Sequence, residues 1–166
     1  MGRIHWVVVG LVMAGALGSE GRAFGEEKPL PPVPSEYKTK HMPAGSWTDP
    51  KIRAEGKKIF EEKTQIVKSR EKGEEEIDCA KCHGKEGKPE KRGVKDMRSA
   101  KVFNRYSDSY WFWRVSEGVP KTKMVSWKNT LSEEERWKVM AYEHSFSHGG
   151  KSQPHEHPEI QKTTGP

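Results

Sequence analysis

Two cysteines and a histidine form the most specific chemical motif in the chain. Cys79 and Cys82 are its only cysteines, and His83 directly follows the second, giving the pattern Cys-x-x-Cys-His. This spacing is typical of covalent haem attachment. One helical turn presents both thiols to the two vinyl groups on one edge of the porphyrin, and the next residue brings a ring nitrogen to the iron. The motif therefore predicts one covalently bound haem c, with His83 as an axial ligand of the iron.

Three other uses of the cysteine pair explain less of the sequence. A zinc site requires four ligands, and the nearest further histidines, His144 and His148, lie on or beyond a helix rich in aromatic residues. A thioredoxin-like redox pair requires a βαβ context, which the sequence does not show. A structural disulfide would leave His83 without a role. Haem attachment accounts for all three residues of the motif.

The composition also favours a cofactor at the centre of the molecule. Of the 166 residues only 32% are hydrophobic and 33% are charged, and the mean hydropathy is −0.96. Side chains alone supply little apolar material for a core, so a porphyrin would provide a large part of it. The net charge of +6 arises from acids and bases that are interleaved along the chain. These features exclude a polytopic membrane protein and argue against nucleic-acid binding.

Both ends of the chain are expected to lie outside the haem domain. A short basic start followed by the apolar run 6–17 is typical of an export signal, residues 1–25, cleaved before Glu26 to release the protein into the periplasm. The run is too short to span a bilayer, although an uncleaved signal would hold the protein at the membrane. Residues 26–50 are predicted to be a Pro-rich linker or arm, and residues 149–166 a flexible tail containing His and Pro.

Residues 51–148 carry the helical patterns and form the predicted domain. Three segments combine a helix-start signal with apolar residues at helical spacing. They begin at Asp49-Pro50, at Asp108 and at Ser132. The second is expected to end at Gly118, and the third has a capping box with Glu135. No segment alternates in hydrophobicity as a strand would, so the predicted fold class is all-α.

The ligand opposite His83 is predicted to be Met124. It lies in a loop that can place its thioether over the haem ring, and His/Met ligation is a known electron-transfer pairing. Met97 is too close to His83 in sequence to reach the other side of the ring, and Met140 has the spacing of a core residue. His144 is the alternative ligand. With both axial positions filled, no substrate can reach the iron.

Taken in order, these pieces resemble a class I monohaem cytochrome c. The matching pieces are Gly56 and Phe60, the haem loop 79–87, the ligand loop 118–127 and the closing helix from Leu131 to Tyr142. The resemblance implies a cytochrome c fold of three main helices around one covalently attached haem, with irregular N- and C-terminal extensions. It implies an electron carrier in the periplasm rather than an enzyme. It also makes Trp127 a candidate for contact with a haem propionate.

Two departures from the family pattern leave alternatives open. Val125 replaces the usual Pro after Met124, which frees the loop and keeps open a haem enzyme or gas sensor with a labile sixth ligand. Residues 61–78 form a long charged insertion, either a solvated loop or a docking element beside the haem edge. A haem c subunit of an oxidoreductase complex is a further alternative to a free electron carrier.

The expected partners follow from charges around the haem loop. Lys81, Lys85 and Lys88 indicate a positive face for acidic or membrane-bound redox proteins. No small-molecule substrate is expected. The histidines near the C-terminus raise the separate alternative of a copper or nickel site. They are His144, His148, His155 and His157.

Overall fold

The computed structural model describes residues 31–69, 73–103 and 105–150. The chain divides into two compact units, Met1–Pro31 and Pro32–Pro166, and the architecture given below is that of the second. The predicted signal peptide and the tail beyond residue 150 lie outside the described residues. Within those residues, no helix has the length and apolar character needed to cross a membrane.

The described residues contain five helices, two of them a single turn long. They are α1 (Pro50–Glu62), α2 (Ala80–His83), α3 (Ala100–Phe103), α4 (Asp108–Glu117) and α5 (Glu133–Phe146). The predicted start signals are confirmed for the longer ones. The Asp49 side chain accepts hydrogen bonds from the first backbone N–H groups of α1, and Ser132 and Glu135 form the capping box of α5. Each satisfies N–H groups that a helix start otherwise leaves unpaired.

The α1–α5 crossing is packed so closely that it requires a glycine. A methyl group at Gly56 would lie 1.9 Å from the backbone oxygen of Lys138, so only a residue without a side chain fits. One turn later on α1, the fully buried Phe60 ring meets Tyr142 and Phe146 edge-on, at centroid distances of 5.5 and 5.7 Å. The glycine permits the close approach, and the aromatic rings fill the crossing beside it.

Helix α4 packs against α5 through stacked aromatic rings. Phe112 and Trp137 lie with their centroids 3.9 Å apart and their planes 16° from parallel. The helix begins after Ser107, whose side chain accepts from the backbone N–H of Tyr110, and ends at Gly118 as predicted. Because Gly118 has a φ of 72°, a conformation that other residues rarely adopt, it turns the chain out of the helix and into the ligand loop.

The segment 32–49 lies against the ends of α4 and α5. Tyr37 donates a hydrogen bond to Glu117, and the backbone N–H of Met42 donates to Asp108 at 2.8 Å. Both Tyr37 and Met42 are buried. Lys40 pairs with Glu133 at 2.7 Å; the segment is therefore held by apolar contacts and by polar contacts at several points.

The prediction that the fold is all-α was wrong in one respect. Within the insertion between α1 and the haem motif, strands β1 (Gln65–Ser69) and β2 (Gly73–Ile77) form an antiparallel hairpin. Lys68 and Glu74 face each other across the strands and form an ion pair at 2.9 Å. The strands gain order from this pairing rather than from a buried apolar face, which is why hydrophobic alternation did not reveal them.

The base of the hairpin is fastened to the segment that follows the ligand loop. The Gln65 side chain donates to the backbone oxygen of Ser126 at 3.3 Å and accepts from the hydroxyl of Thr130 at 3.0 Å. At the same base, Ile77 pairs with Gln65, and β2 leads from there through Asp78 directly into the haem motif. The hairpin therefore lies where the haem motif and the ligand loop approach each other.

Candidate functional site

The Cys-x-x-Cys-His motif folds into the single turn of α2, as its spacing predicts. The backbone N–H of His83 donates to the oxygen of Cys79 at 2.9 Å. Asp78 stabilises the start of the turn by accepting from the backbone N–H of Lys81 at 2.7 Å. Cys79 and Cys82 are both free thiols, the first buried and the second partly exposed.

Burial keeps the three side chains of the motif neutral. It raises the pKa of the Cys79 thiol well above its usual value, and the nearby Glu143 raises it further. Burial also raises the pKa of Cys82, against the opposing effect of Lys91. The pKa of His83 is lowered by burial, so its ring is neutral at neutral pH, the form that binds a metal.

Two glycines close the loop that follows the motif. Gly84, with a φ of 71°, ends α2, and a methyl group there would lie 2.0 Å from the backbone oxygen of Lys88. A methyl group at Gly87 would lie 2.6 Å from the ring of Phe146. The haem loop is therefore pressed against the last turn of α5, and neither glycine can be replaced without moving backbone or a buried ring.

The predicted axial ligand Met124 lies in a tight turn between α4 and α5. Its backbone oxygen accepts from Val119 at 2.9 Å, and its N–H donates to the Thr122 hydroxyl at 3.1 Å. A methyl group at Gly118 would lie 2.4 Å from the same Met124 oxygen. Met124 is half-buried against the core. These contacts hold its backbone in place despite the Val125 that replaces the usual Pro.

Electrostatic and packing contacts connect the ligand loop to the haem motif. Lys123, the residue before Met124, is close enough to Cys82 to lower the pKa of its thiol. Cys79 and Trp127 belong to one cluster of buried residues, with Met124 packed against it. The ligand loop therefore comes near Cys82 at Lys123, and Met124 packs against the core to which Cys79 belongs.

The other candidate residues occupy core positions. Trp127 is 3% exposed, and its backbone N–H donates to the oxygens of Val115 and Ser116. Met97 and Met140 are both buried. The contact of Trp127 with a propionate remains a prediction.

The alternative ligand His144 lies among aromatic rings. It packs against Trp47 with a centroid distance of 4.4 Å and against His148 at 4.7 Å, and it meets the Phe103 ring edge-on. These neighbours come from the segment before α1, from the chain after α5 and from α3. His144 is therefore part of the packing on a side of α5 different from the α1 crossing.

Sequence analysis did not single out Glu143, a buried carboxyl group on α5. Its exposure is 7%, and burial raises its pKa from 4.5 to about 8. A glutamate on a polar helix is ordinarily solvated, which is why its type gave no signal. The position of Glu143 did indicate burial, because it lies three residues after Met140 and four after Val139, both of which are buried.

The residues of the motif fit a haem group. Nδ1 of His83 is buried and has no hydrogen-bond partner among the described residues, so the ring carries a buried polar atom that these residues leave unsatisfied. The two thiols beside it are unpaired by a disulfide. The described residues contain no group of three or more His, Cys, Asp or Glu arranged to hold a metal ion, so the ligand set of a zinc site is not assembled among them.

A match to one protein family agrees with this fit. The family model described as cytochrome C oxidase, cbb3-type, subunit III matches residues 71–142, which include the haem motif and Met124. The solved structure of the KustC0563 c-type cytochrome is 26% identical over 41% of this chain and 86% of that chain, with a TM-score of 0.38. No curated protein matches the chain.

The family match over residues 71–142 and the haem motif within it together support a c-type cytochrome domain in this part of the chain. The resemblance noted in the sequence is confirmed at that level. A domain of this class implies haem c and a role in electron transfer rather than catalysis.

Proposed function

We propose that the protein is a single-electron carrier with one haem c attached through Cys79 and Cys82. His83 and Met124 would be the two axial ligands. The observation that supports this most directly is the neutral, half-buried imidazole of His83, which lies in one helical turn with two free thiols and whose buried Nδ1 has no hydrogen-bond partner among the described residues. The bound haem would supply reversible exchange of one electron between the ferrous and ferric states of its iron.

The chain's own residues would orient the group and keep water away from it. Cys79 and Cys82 fix one edge of the ring, and the glycines of the haem loop allow the backbone to come close. Phe112 and Trp127 are buried and exclude solvent, whereas Trp111 and Trp113 are only half-buried. Little needs to move when an electron enters or leaves, which suits a carrier.

An absorption spectrum of the haem-loaded protein tests the axial ligands. Sharp low-spin bands, a weak red band from methionine sulfur to ferric iron and no response to carbon monoxide are expected. Met124→Leu should abolish the red band and allow carbon monoxide to bind the iron. Met97→Leu replaces a buried methionine that is not a predicted ligand, and it should preserve the wild-type spectrum. A wild-type protein that binds carbon monoxide would instead support a haem enzyme or gas sensor.

Attachment through both cysteines is tested by mass. The intact denatured protein should be heavier than its polypeptide by one haem, and Cys79→Ala with Cys82→Ala should remove the added mass. Retention of haem by the double variant after denaturation would contradict covalent attachment.

A second candidate function is a haem c subunit of a larger oxidoreductase. The description of the matching family, an oxidase subunit, favours it. Isolation from native membranes under mild conditions distinguishes the two. A carrier should be released as a monomer by salt, whereas a subunit should co-purify with other redox proteins in fixed stoichiometry.

We further propose that the carrier works in the periplasm and meets acidic or membrane-bound redox proteins. The export-type pattern at residues 1–25 supports the location, and the exposed lysines of the haem loop support the partner charge. They are Lys81, Lys85 and Lys88. Oxidation by anionic ferricyanide should slow as ionic strength rises, and oxidation by cationic tris(phenanthroline)cobalt(III) should not. Equal salt dependence for both oxidants would contradict the proposed positive docking face.

A further inference from the structure

Strand β2, which leads into the haem motif, is acidic on both of its faces. Its three central residues are Glu74, Glu75 and Glu76, and all three are exposed. Because side chains alternate along a strand, Glu75 projects to one face and the other two project to the opposite face. Strand β1 adds a single base, Lys68, so the two strands together carry a net charge of −2. The hairpin is therefore an acidic element on a chain whose net charge is +6.

The segment that follows the haem motif, residues 85–98, is basic and is called the basic segment below. It contains six bases and three acids, a net charge of +3, and all six bases are exposed. Only Arg98 among them pairs with an acid of the described residues, Asp96 at 2.6 Å. The other five bases are available to an acidic surface on another molecule. They are Lys85, Lys88, Lys91, Arg92 and Lys95.

The acidic hairpin and the basic segment approach each other at Cys82. Lys91 of the basic segment lowers the pKa of the Cys82 thiol, and Glu75 of the hairpin raises it, so both charges lie near this side chain. The backbone N–H of Glu90 also donates to the oxygen of Cys82 at 3.0 Å. Because Cys82 is partly exposed, the edge at which the haem would be attached reaches the surface between an acidic and a basic region.

The hairpin contributes little to the core of its own chain. None of the strand side chains that the structure describes is buried. Ile66 is 59% exposed and lies on the same face as Glu74 and Glu76, because it pairs directly with Glu76. The surface of the hairpin is therefore available to a partner, and Ile66 would supply apolar contact area within it.

We propose that two copies of this chain associate about a two-fold axis, with the acidic hairpin of each copy against the basic segment of the other. When two regions of opposite charge flank one centre, a two-fold rotation places each region against its complement on the second copy. The attachment edges of the two copies then face each other, and an electron lost by one copy is gained by the other. The inference rests on the proposed function, and it names a second copy as an acidic redox partner.

The association is expected to be weak and sensitive to salt. Two whole copies, each of net charge +6, repel each other at long range. Because the Debye length is about 10 Å at 0.1 M ionic strength, this repulsion is largely screened there, whereas charges in direct contact still attract. Higher salt screens the contact as well. A small, polar contact of this kind is typical of transient electron-transfer encounters.

Sedimentation velocity of the haem-loaded protein tests the proposal, at protein concentrations up to about 1 mM so that weak association is populated. The wild type should form a dimer at about 0.1 M salt and should be a monomer at about 1 M salt. Glu75→Lys with Glu76→Lys reverses the charge of the hairpin and should give a monomer at both salt concentrations. Lys88→Glu with Lys91→Glu reverses the charge of the basic segment and should do the same.

An equimolar mixture of the two double variants gives the sharpest result. It should restore the dimer at about 0.1 M salt, because each reversed segment then faces its complement. Each pair of reversals changes the net charge of the chain by four units from +6, to +10 in the first variant and to +2 in the second. Both variants thus remain positive, and a general attraction between them would not restore the dimer.

The matched control reverses two exposed glutamates on other elements. Glu36→Lys with Glu134→Lys changes the segment before α1 and the first turn of α5, and this variant should dimerise as the wild type does. A wild type that is monomeric at about 0.1 M salt would overturn the inference. So would a mixture that stays monomeric although both double variants have the wild-type haem spectrum, or a control that loses the dimer. A monomer with a reversible haem spectrum would leave the proposed function intact, whereas a protein without attached haem would refute both.

Discussion

Every residue of α5 from Arg136 to Phe146 except Lys138 is buried, whereas residues 73–76 of β2 are all exposed. Both elements carry glutamates, yet the consequences differ. On the hairpin, Glu74, Glu75 and Glu76 add surface charge and one cross-strand ion pair. On α5, Glu143 becomes a buried acid with a raised pKa. The comparison shows that the environment, and not the residue type, decides whether a glutamate adds surface charge or becomes a buried acid.

The largest expected effect concerns the buried member of this comparison. The pKa of Glu143 is about 8 in the folded chain against 4.5 unfolded, so the folded chain binds more protons between these values. The free energy of unfolding should therefore fall by about 4 kcal/mol as the pH rises through this window. Urea unfolding of the haem-loaded protein at both ends of the window measures it.

Two variants separate the buried from the exposed carboxyl group. Glu143→Gln should lose most of the decline in stability with rising pH. Glu75→Gln on the hairpin should retain it in full, because that side chain is exposed. An identical decline in both variants would show that another group causes it.

The next effect tests how tightly α5 is packed. Gly56→Ala should lower the free energy of unfolding by about 3 kcal/mol, because the added methyl group collides with the backbone of Lys138 and the helices must separate. Lys58→Ala, an exposed change on the same helix, should stay within about 0.5 kcal/mol of the wild type. A Gly56→Ala variant as stable as Lys58→Ala would mean that the crossing adjusts freely.

A smaller effect compares a glycine of the ligand loop with one of the hairpin. Gly118 and Gly73 have nearly the same φ, 72° and 70°, but a methyl group meets the Met124 oxygen at 2.4 Å in the first case and nothing within 4 Å in the second. Both alanine variants should lose about 1 kcal/mol through backbone strain. Gly118→Ala should lose about 1 kcal/mol more and weaken the red methionine band. Equal losses and unchanged spectra would remove the role of Gly118 in positioning Met124.

The smallest effect is expected on the outer face of the hairpin. Ile66 is 59% exposed, so Ile66→Thr should change the free energy of unfolding by less than about 0.5 kcal/mol. Val67 is half-buried on the other face, and Val67→Thr should cost about 1 kcal/mol. Thermal unfolding of the two variants side by side decides between them. A larger loss of stability in Ile66→Thr than in Val67→Thr would contradict the assignment of Val67 to the more buried face of the hairpin.

The parts of the fold that could be predicted are those with local causes. Asp49-Pro50 and the Ser132–Glu135 capping box start helices through hydrogen bonds within a few residues, so the sequence reveals them. The turn of α2 follows from the spacing of the haem motif. Gly118 ends α4 for an equally local reason, its left-handed φ.

The parts that could not be predicted depend on distant partners. β2 is mostly glutamate, a residue depleted in strands, and it is ordered by pairing with β1 and by the bonds of Gln65 to Ser126 and Thr130. The burial of Glu143 depends on the segments, distant in sequence, that pack against α5. Neither fact is contained in a short window of sequence.

The two bonds of Gln65 have a mechanical consequence. One side chain at the base of the hairpin is hydrogen-bonded to the backbone of Ser126, two residues after Met124. A displacement of β1 at Gln65 would therefore pull on the backbone next to the predicted iron ligand.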